Sequence, residues 1–381
     1  MTENIVIPNN LLPSDGRFGS GPSKIRHEQL LQLSQSTVMG TSHRQAPVKT
    51  IVQEIQTQLA QFFNIPDGYE VVLGNGGASA FWDMACAGLI LQHAAFGVYG
   101  SFTKKFAQCA QNTPFLQEPA IFECTPGDYS IPQYVSGVDT YCWAHNETST
   151  GVAAPIQRVP SSEEDNALIV IDATSAAGAL PVDISQTDAY YFSPQKAFGS
   201  DGGLWIAILS PRAINRVESI AQSVKNGDAQ GRWIPSFLSL QSAIDNSRKH
   251  QTLNTPAIAT LELLHNQINW LMSKGGLQWS SQYCHDNAEH IYQWAQNSEY
   301  ASPFVQNVEA RSHAVVTVEV DDSINAQDIV TALRENGIID TFGYRGLNRN
   351  QLRIGVFPSV THEDVQSLTQ CIDYVVEHLQ K

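Results

Sequence analysis

From Val48 to Phe63, apolar residues stand at positions 48, 51, 52, 55, 59, 62 and 63. This is the i, i+3, i+4 stripe of an amphipathic helix, and Pro47 suits its first turn. The next apolar run, Tyr69 to Leu73, is short and continuous, which predicts a buried strand. It leads into Gly74-Asn-Gly-Gly-Ala-Ser79 and an apolar helical stretch to about Leu91. Strand, glycine turn and helix together form a unit that presents backbone N–H groups and a positive helix end to an anion.

Four further short runs follow: Thr140 to Trp143, Ala167 to Ile171, Asp188 to Phe192 and Gly203 to Leu209. Continuous apolar runs separated by turns and helical segments are what a parallel sheet buried on both faces requires, so this part of the chain reads as α/β. Beyond about residue 262 the pattern changes to a long helix, a strand Ala314 to Val320, a helix Ala326 to Asn336, a strand Gln351 to Phe357 and a closing helix. The closing helix carries apolar residues at 365, 368, 372, 375 and 379, and Thr361-x-x-Asp364 before it resembles a capping box. The pattern divides the chain into a large α/β domain, 17–262, and a smaller α+β domain, 263–381, joined by segment 1–16.

At 381 residues the chain is long for a single core, and 42% hydrophobic against 15% charged residues excludes a disordered chain. The net charge of -15 repels nucleic acid and anionic lipid, so an anionic ligand must meet a local cluster of cations. Six scattered cysteines without a C-x-x-C pair read as reduced thiols of a cytosolic protein. The start, Met-Thr-Glu-Asn, has no targeting character, and no run approaches the roughly 20 apolar residues of a membrane span. A cytoplasmic protein is the expectation.

The chemistry concentrates after two of the strands. Lys196, in Ser193-Pro-Gln-Lys, follows the Asp188–Phe192 run and precedes Gly199-Ser-Asp-Gly-Gly203. At the exit of a buried strand a lysine loses water, its pKa falls, and the neutral amine becomes a nucleophile able to form a Schiff base. Taken alone, a lysine reaching solvent is the commoner case. Asp172, however, ends the preceding run, and the carboxyl edge of an open α/β sheet is where ligands bind. An Asp there serves equally as a helix cap or as the partner of a protonated pyridine nitrogen. Its pairing with Lys196 points to pyridoxal 5'-phosphate. Gly76-Gly77-Ala78-Ser79 offers a cradle for a phosphate ester, Phe102 a face to stack on a ring, and Thr148 a hydroxyl.

Asp188-Ala-Tyr-Tyr-Phe-Ser-Pro-Gln-Lys196 with the glycines after it is similar to the lysine signature of class V aminotransferases. Four further segments resemble, in the family's order, its branch acting on phosphoserine: Asp15-Gly-Arg-Phe-Gly-Ser-Gly-Pro-Ser23, Thr41-Ser-His-Arg-Gln-Ala-Pro47, Asn254-Thr-Pro256 and Gly343 to Pro358. The variant is similar to the actinobacterial subgroup. The resemblance implies the type I pyridoxal-phosphate transferase fold, with a mostly parallel seven-stranded sheet in the large domain. It implies that Lys196 holds the cofactor and shuttles a proton while Asp172 holds the ring nitrogen. Phe102 would stack on the ring, and Gly77, Ala78, Ser79, Thr148 and Gln195 would fix the phosphate and ring oxygen. Asn254 and Thr255 would reach the phosphate across a homodimer interface, and His43, Arg44, Arg345 and Arg353 would bind the carboxylate and phosphate of the substrate.

The implied reaction moves an amino group between glutamate and 3-phosphohydroxypyruvate, with a second activity on phosphohydroxythreonine in pyridoxine biosynthesis. Three departures stand out: Phe102 where many members have Trp, Ser79 where others have Arg, and Tyr344-Arg345 in place of a histidine-arginine pair. A desulfurase of the same family needs a cysteine that the stretch 340–358 lacks. An alanine–glyoxylate or serine–pyruvate aminotransferase would not need the extra cations, and a binding protein on this fold would not need Lys196 and Asp172 together.

Overall fold

The computed structural model describes residues 5–161, 166–228 and 231–380. The Met1–Asn4 start, read above for targeting character, lies outside the described residues. In chain order the strands are β1 (Glu70–Asn75), β2 (Ala94–Val98), β3 (Ala120–Glu123), β4 (Thr140–Ala144), β5 (Asn146–Glu147), β6 (Val152–Ala153), β7 (Leu168–Asp172), β8 (Ala189–Phe192), β9 (Leu204–Leu209), β10 (Ala301–Pro303), β11 (Val315–Val320) and β12 (Gln351–Gly355).

Seven of them form the main sheet, in the order β1-β9-β8-β7-β4-β2-β3. The pairs β2/β3, β2/β4, β4/β7 and β7/β8 are parallel. The run Gly203–Leu209, expected among the parallel strands, instead runs antiparallel to both β8 and β1. The reason is length: the connection 193–203 is too short to hold the crossover that a parallel neighbour needs. The strands β2 and β3 carry no clear signal in the sequence. Ala94-Ala-Phe-Gly-Val98 is poor in β-branched residues, and its Gly97 is required because a Cβ there would lie 2.2 Å from the Ser130 carbonyl oxygen.

The continuous apolar runs have a simple cause. Ile169, Ile171, Tyr190, Phe192, Ile206 and Ile208 pack into the core on one face of the sheet, under the helices Ala46–Phe62 and Ile258–Lys274. Leu168, Val170, Ala189, Tyr191, Trp205 and Ala207 pack on the other, under the helices Ala78–Gly88 and Pro211–Asn226. With both faces covered, alternation disappears.

The second unit is the antiparallel sheet β10-β11-β12 with the helices Gly276–Asn297, Ala326–Glu335 and His362–Leu379. Ile7 packs in its core, and so does Phe18, which a large domain beginning at residue 17 would have placed in the other unit. A boundary at 262/263 needs correcting. It falls inside the helix Ile258–Lys274, whose Leu261, Leu264, Ile268 and Leu271 pack into the large core, so that helix is not divided between the two units. Thr361 caps the closing helix as anticipated, its hydroxyl accepting the Asp364 N–H at 3.1 Å.

Candidate active site

Because β9 is the one reversed strand, the carboxyl ends of β1, β2, β4, β7 and β8 share an edge. The chain leaves that edge at Gly76-Gly77, Tyr99-Gly100, His145–Thr148, Asp172 and Ser193–Lys196, which gathers distant segments at one place. Lys196 is 8% exposed, and its Nζ donates to the Ser20 carbonyl oxygen at 2.6 Å. Burial, reinforced by the nearby Arg353 charge, pulls the Lys196 amine down to about 8, against the opposing pull of Asp172 and Glu147. Among the described residues it forms no ion pair.

Gly21 makes room for that amine. A Cβ at Gly21 would lie 2.0 Å from Lys196 Nζ, and the residue adopts φ +133°, which other residues rarely accept. The expected result for Gly21→Ala is a displaced Lys196 and a loss of at least about tenfold in cofactor capture rate. Stopped-flow absorbance during cofactor addition reads this, and a wild-type rate would exclude the steric role.

Asp172, the last residue of β7, is 7% exposed and meets three donors. Trp82 Nε1 donates to Oδ2 at 3.2 Å, and the Thr174 N–H and hydroxyl donate to Oδ1 at 2.9 and 2.6 Å. A carboxylate has the lone pairs to accept from all three at once. Trp82 escaped the sequence reading, although it stands one helical turn after Ala78 and its indole N–H needs an acceptor wherever it is buried.

The helix Ala78–Gly88 starts at Gly77 without a side-chain cap. The Ala78 N–H donates to Ser193 Oγ at 2.7 Å, tying this glycine turn to the loop that carries Lys196. Ser79, in the first turn, is exposed. The Thr148 hydroxyl donates to Ser175 Oγ at 2.7 Å, and the Thr148 carbonyl accepts from Arg353 at 3.0 Å. Arg353, 8% exposed on β12, leaves its Nε without a partner and stacks 5.3 Å from the Tyr344 ring centroid. Tyr344 in turn stands 5.7 Å from the ring of Phe102. Gln195 Oε1 is likewise buried without a partner. Orphaned buried polar atoms on two residues of one site are expected where a polar ligand completes the hydrogen bonding.

Other predicted residues lie elsewhere in the chain. Arg44 is exposed, with its guanidinium on Asn246 at 3.1 Å, on Gln251, and on the Leu253 carbonyl at 2.8 Å. His43 Nδ1 meets the Thr255 hydroxyl at 3.1 Å, while its Nε2 is buried and unpartnered. Asn254 and Thr255 are exposed and braced by Asn75, whose Nδ2 donates to their carbonyl oxygens at 3.3 and 3.1 Å. This second cluster makes no contact with Lys196, Asp172 or Arg353 among the described residues. Arg345 is exposed in the turn Arg345–Leu347, beside a cavity of about 530 Å³ that Tyr344 also lines.

Away from this edge, His285, Glu289 and His313 approach one another within 4.8 Å. His285 Nδ1 lies 3.2 and 3.3 Å from the two ring nitrogens of His313, with rings at 82°, so it points at a ring face and the lone pairs do not converge on one point.

A buried, unpaired lysine beside a strand-end carboxylate, on a sheet with one reversed strand, defines a class of enzyme. The chain belongs to the class V aminotransferases: the family described as Aminotransferase class-V matches residues 136–368. Over 381 residues it is 53% identical to the phosphoserine aminotransferase of Rhodococcus opacus, and equally to that of Rhodococcus jostii, with all of each chain covered. The fold also matches the crystal structure of a phosphoserine aminotransferase from Cytophaga hutchinsonii. There the TM-score is 0.84 at 22% identity, over 94% of this chain and 99% of that one.

Proposed function

We propose that this chain exchanges the amino group of glutamate with 3-phosphohydroxypyruvate, forming phosphoserine and 2-oxoglutarate in serine biosynthesis. The single observation that carries the reading is the juxtaposition of Lys196, an amine pulled down to about 8, with Asp172 on the neighbouring strand. The names of the two Rhodococcus relatives support the phosphorylated substrate.

The residues present fit pyridoxal 5'-phosphate: a carbonyl-reactive amine, a carboxyl group for the ring nitrogen, an uncapped helix start for the phosphate and a ring on Phe102. When bound, that group supplies the carbonyl that takes up the amino group and a ring into which negative charge spreads. Lys196, whose lowered pKa of about 8 leaves an appreciable fraction of the amine neutral near neutral pH, accepts the proton from the substrate Cα and returns it on the other side of the exchange. Asp172 keeps the opposing positive charge in place. Gly77, Ala78, Ser79, Thr148 and Gln195 hold the phosphate and ring oxygen.

Arg353, buried next to Thr148 and close enough to Lys196 to perturb it, binds the substrate α-carboxylate. Arg345, exposed at the mouth, binds the phosphate together with His43 and Arg44, which a second copy of the chain delivers along with Asn254 and Thr255. The protein is then a cytoplasmic homodimer whose sites are completed across the interface, and phosphohydroxythreonine is a further substrate.

Steady-state kinetics test the substrate: kcat/KM for phosphoserine should exceed that for serine and alanine by at least about 10²-fold, and equal values would overturn the phosphate assignment. Arg353→Ala should raise KM for every amino-acid substrate, whereas Arg44→Ala should raise it only for phosphorylated ones, each by about tenfold or more. Mixing Arg44→Ala with Lys196→Ala subunits should restore activity by forming one intact site per hybrid dimer. Failure to restore it would place His43 and Arg44 in their own chain's site.

A further inference from the structure

We propose that Glu147 is a positioning residue of this site, a buried carboxylate that locks the Phe102 ring to the segment carrying Thr148. Glu147 is fully buried, and it joins two segments that lie far apart in sequence. Its Oε2 accepts the Phe102 N–H at 3.0 Å, the Thr103 N–H at 2.9 Å and the Thr103 hydroxyl at 3.0 Å. Its Oε1 accepts the Ser149 N–H at 3.1 Å and the Ser149 hydroxyl at 2.7 Å. The Ser149 hydroxyl itself accepts the Ser101 N–H at 3.0 Å, which leaves its own proton for Glu147.

Burial raises this carboxyl above its ordinary value, and the hydrogen bonds from Ser149 and Thr103 pull it part of the way back. Three of the five contacts are backbone N–H groups that can only donate, and both hydroxyls can donate as well, so a carboxylate accepts from all of them at once. The charge also faces the start of the helix Ser101–Gln111, where free N–H groups favour an anion. Gly100 admits it, because a Cβ there would lie 2.2 Å from Glu147 Cγ.

Two consequences reach the site. The ring-bearing helix start cannot shift without breaking these bonds, and Thr148, next in the chain, holds Arg353 through its carbonyl. The negative charge also favours the protonated forms of Lys196 and Arg353.

The inference rests on the cofactor reading above. Its test uses Glu147→Gln, which keeps the shape but offers an amide to donors, and Glu147→Asp, which keeps the charge but shortens the reach. Pyridoxal phosphate affinity is measured by absorbance titration. The pH midpoint of Lys196 acylation by acetic anhydride is followed in cofactor-free protein by peptide mass spectrometry. Glu147→Gln should weaken the cofactor about tenfold or more and move the Lys196 midpoint to lower pH. Glu147→Asp should weaken the cofactor while restoring the midpoint. Ser149→Ala, which removes one donor and keeps the charge, should weaken the cofactor by a smaller factor. Wild-type affinity and midpoint in Glu147→Gln would overturn the role of Glu147 alone. A wild-type protein that binds no pyridoxal phosphate would overturn the cofactor reading and this inference with it.

Discussion

Replacing Lys196 by alanine abolishes measurable turnover, a loss of at least about 10³-fold in kcat, while the protein remains folded. The attachment and proton-transfer roles proposed for this buried amine would disappear together. Borohydride reduction followed by peptide mapping should label Lys196 in the wild type and nothing in the variant. Activity within tenfold of the wild type would refute the assignment.

The same amine makes a prediction about stability that is independent of catalysis. The unfolded chain holds the Lys196 proton up to its ordinary value of 10.5, whereas the folded protein releases it near 8. Between those values the unfolded state binds more protons, so stability rises with pH, by up to about 3 kcal/mol in cofactor-free protein. Below pH 8 the buried charge opposes folding. Lys196→Met should therefore be more stable than the wild type at pH 7 and lose that advantage above pH 10. Urea unfolding at the two pH values measures it, and an unchanged difference would mean that water reaches the amine.

Asp172→Asn carries the second large effect, a fall in kcat of about 10²- to 10³-fold with little change in KM. An amide cannot accept from Trp82 and Thr174 at once, and it offers a protonated ring nitrogen no charge. The absorbance of the bound cofactor should shift with the ring's protonation state. A variant within tenfold of wild-type kcat would show that Asp172 is a structural cap, the role it shares geometry with through the Thr174 N–H.

Much of this site is legible before folding because the chemistry sits at pattern boundaries. Lys196 and Asp172 stand where apolar runs stop, and Gly76-Gly77 where one run becomes a helix. Trp82 is harder to see, since an aromatic residue inside an apolar helix looks like core until its indole is found on Asp172. Glu147 had a signal that is visible in hindsight: it is the single acid in His145–Gly151, a turn otherwise built of small polar residues. What that acid binds, however, begins at residue 101, and sequence distance hides such a contact. The reversal of β9 was hidden for another reason. Apolar periodicity reports that both faces of a strand are covered and carries no information about its direction.

The chain by itself determined which segments are buried on two faces, where helices start, and which residue types stand at the strand ends, because these follow from local transfer free energies and backbone sterics. The tertiary structure alone decided that Gly21 vacates the space for the Lys196 amine and that Arg353 from the small domain meets Thr148 from the large one. It also decided that a buried carboxylate at 147 binds the helix that begins at Ser101. Those are contacts between segments far apart in sequence, and their energies depend on distances and on excluded water, which exist only once the sheet has brought its carboxyl ends to one edge.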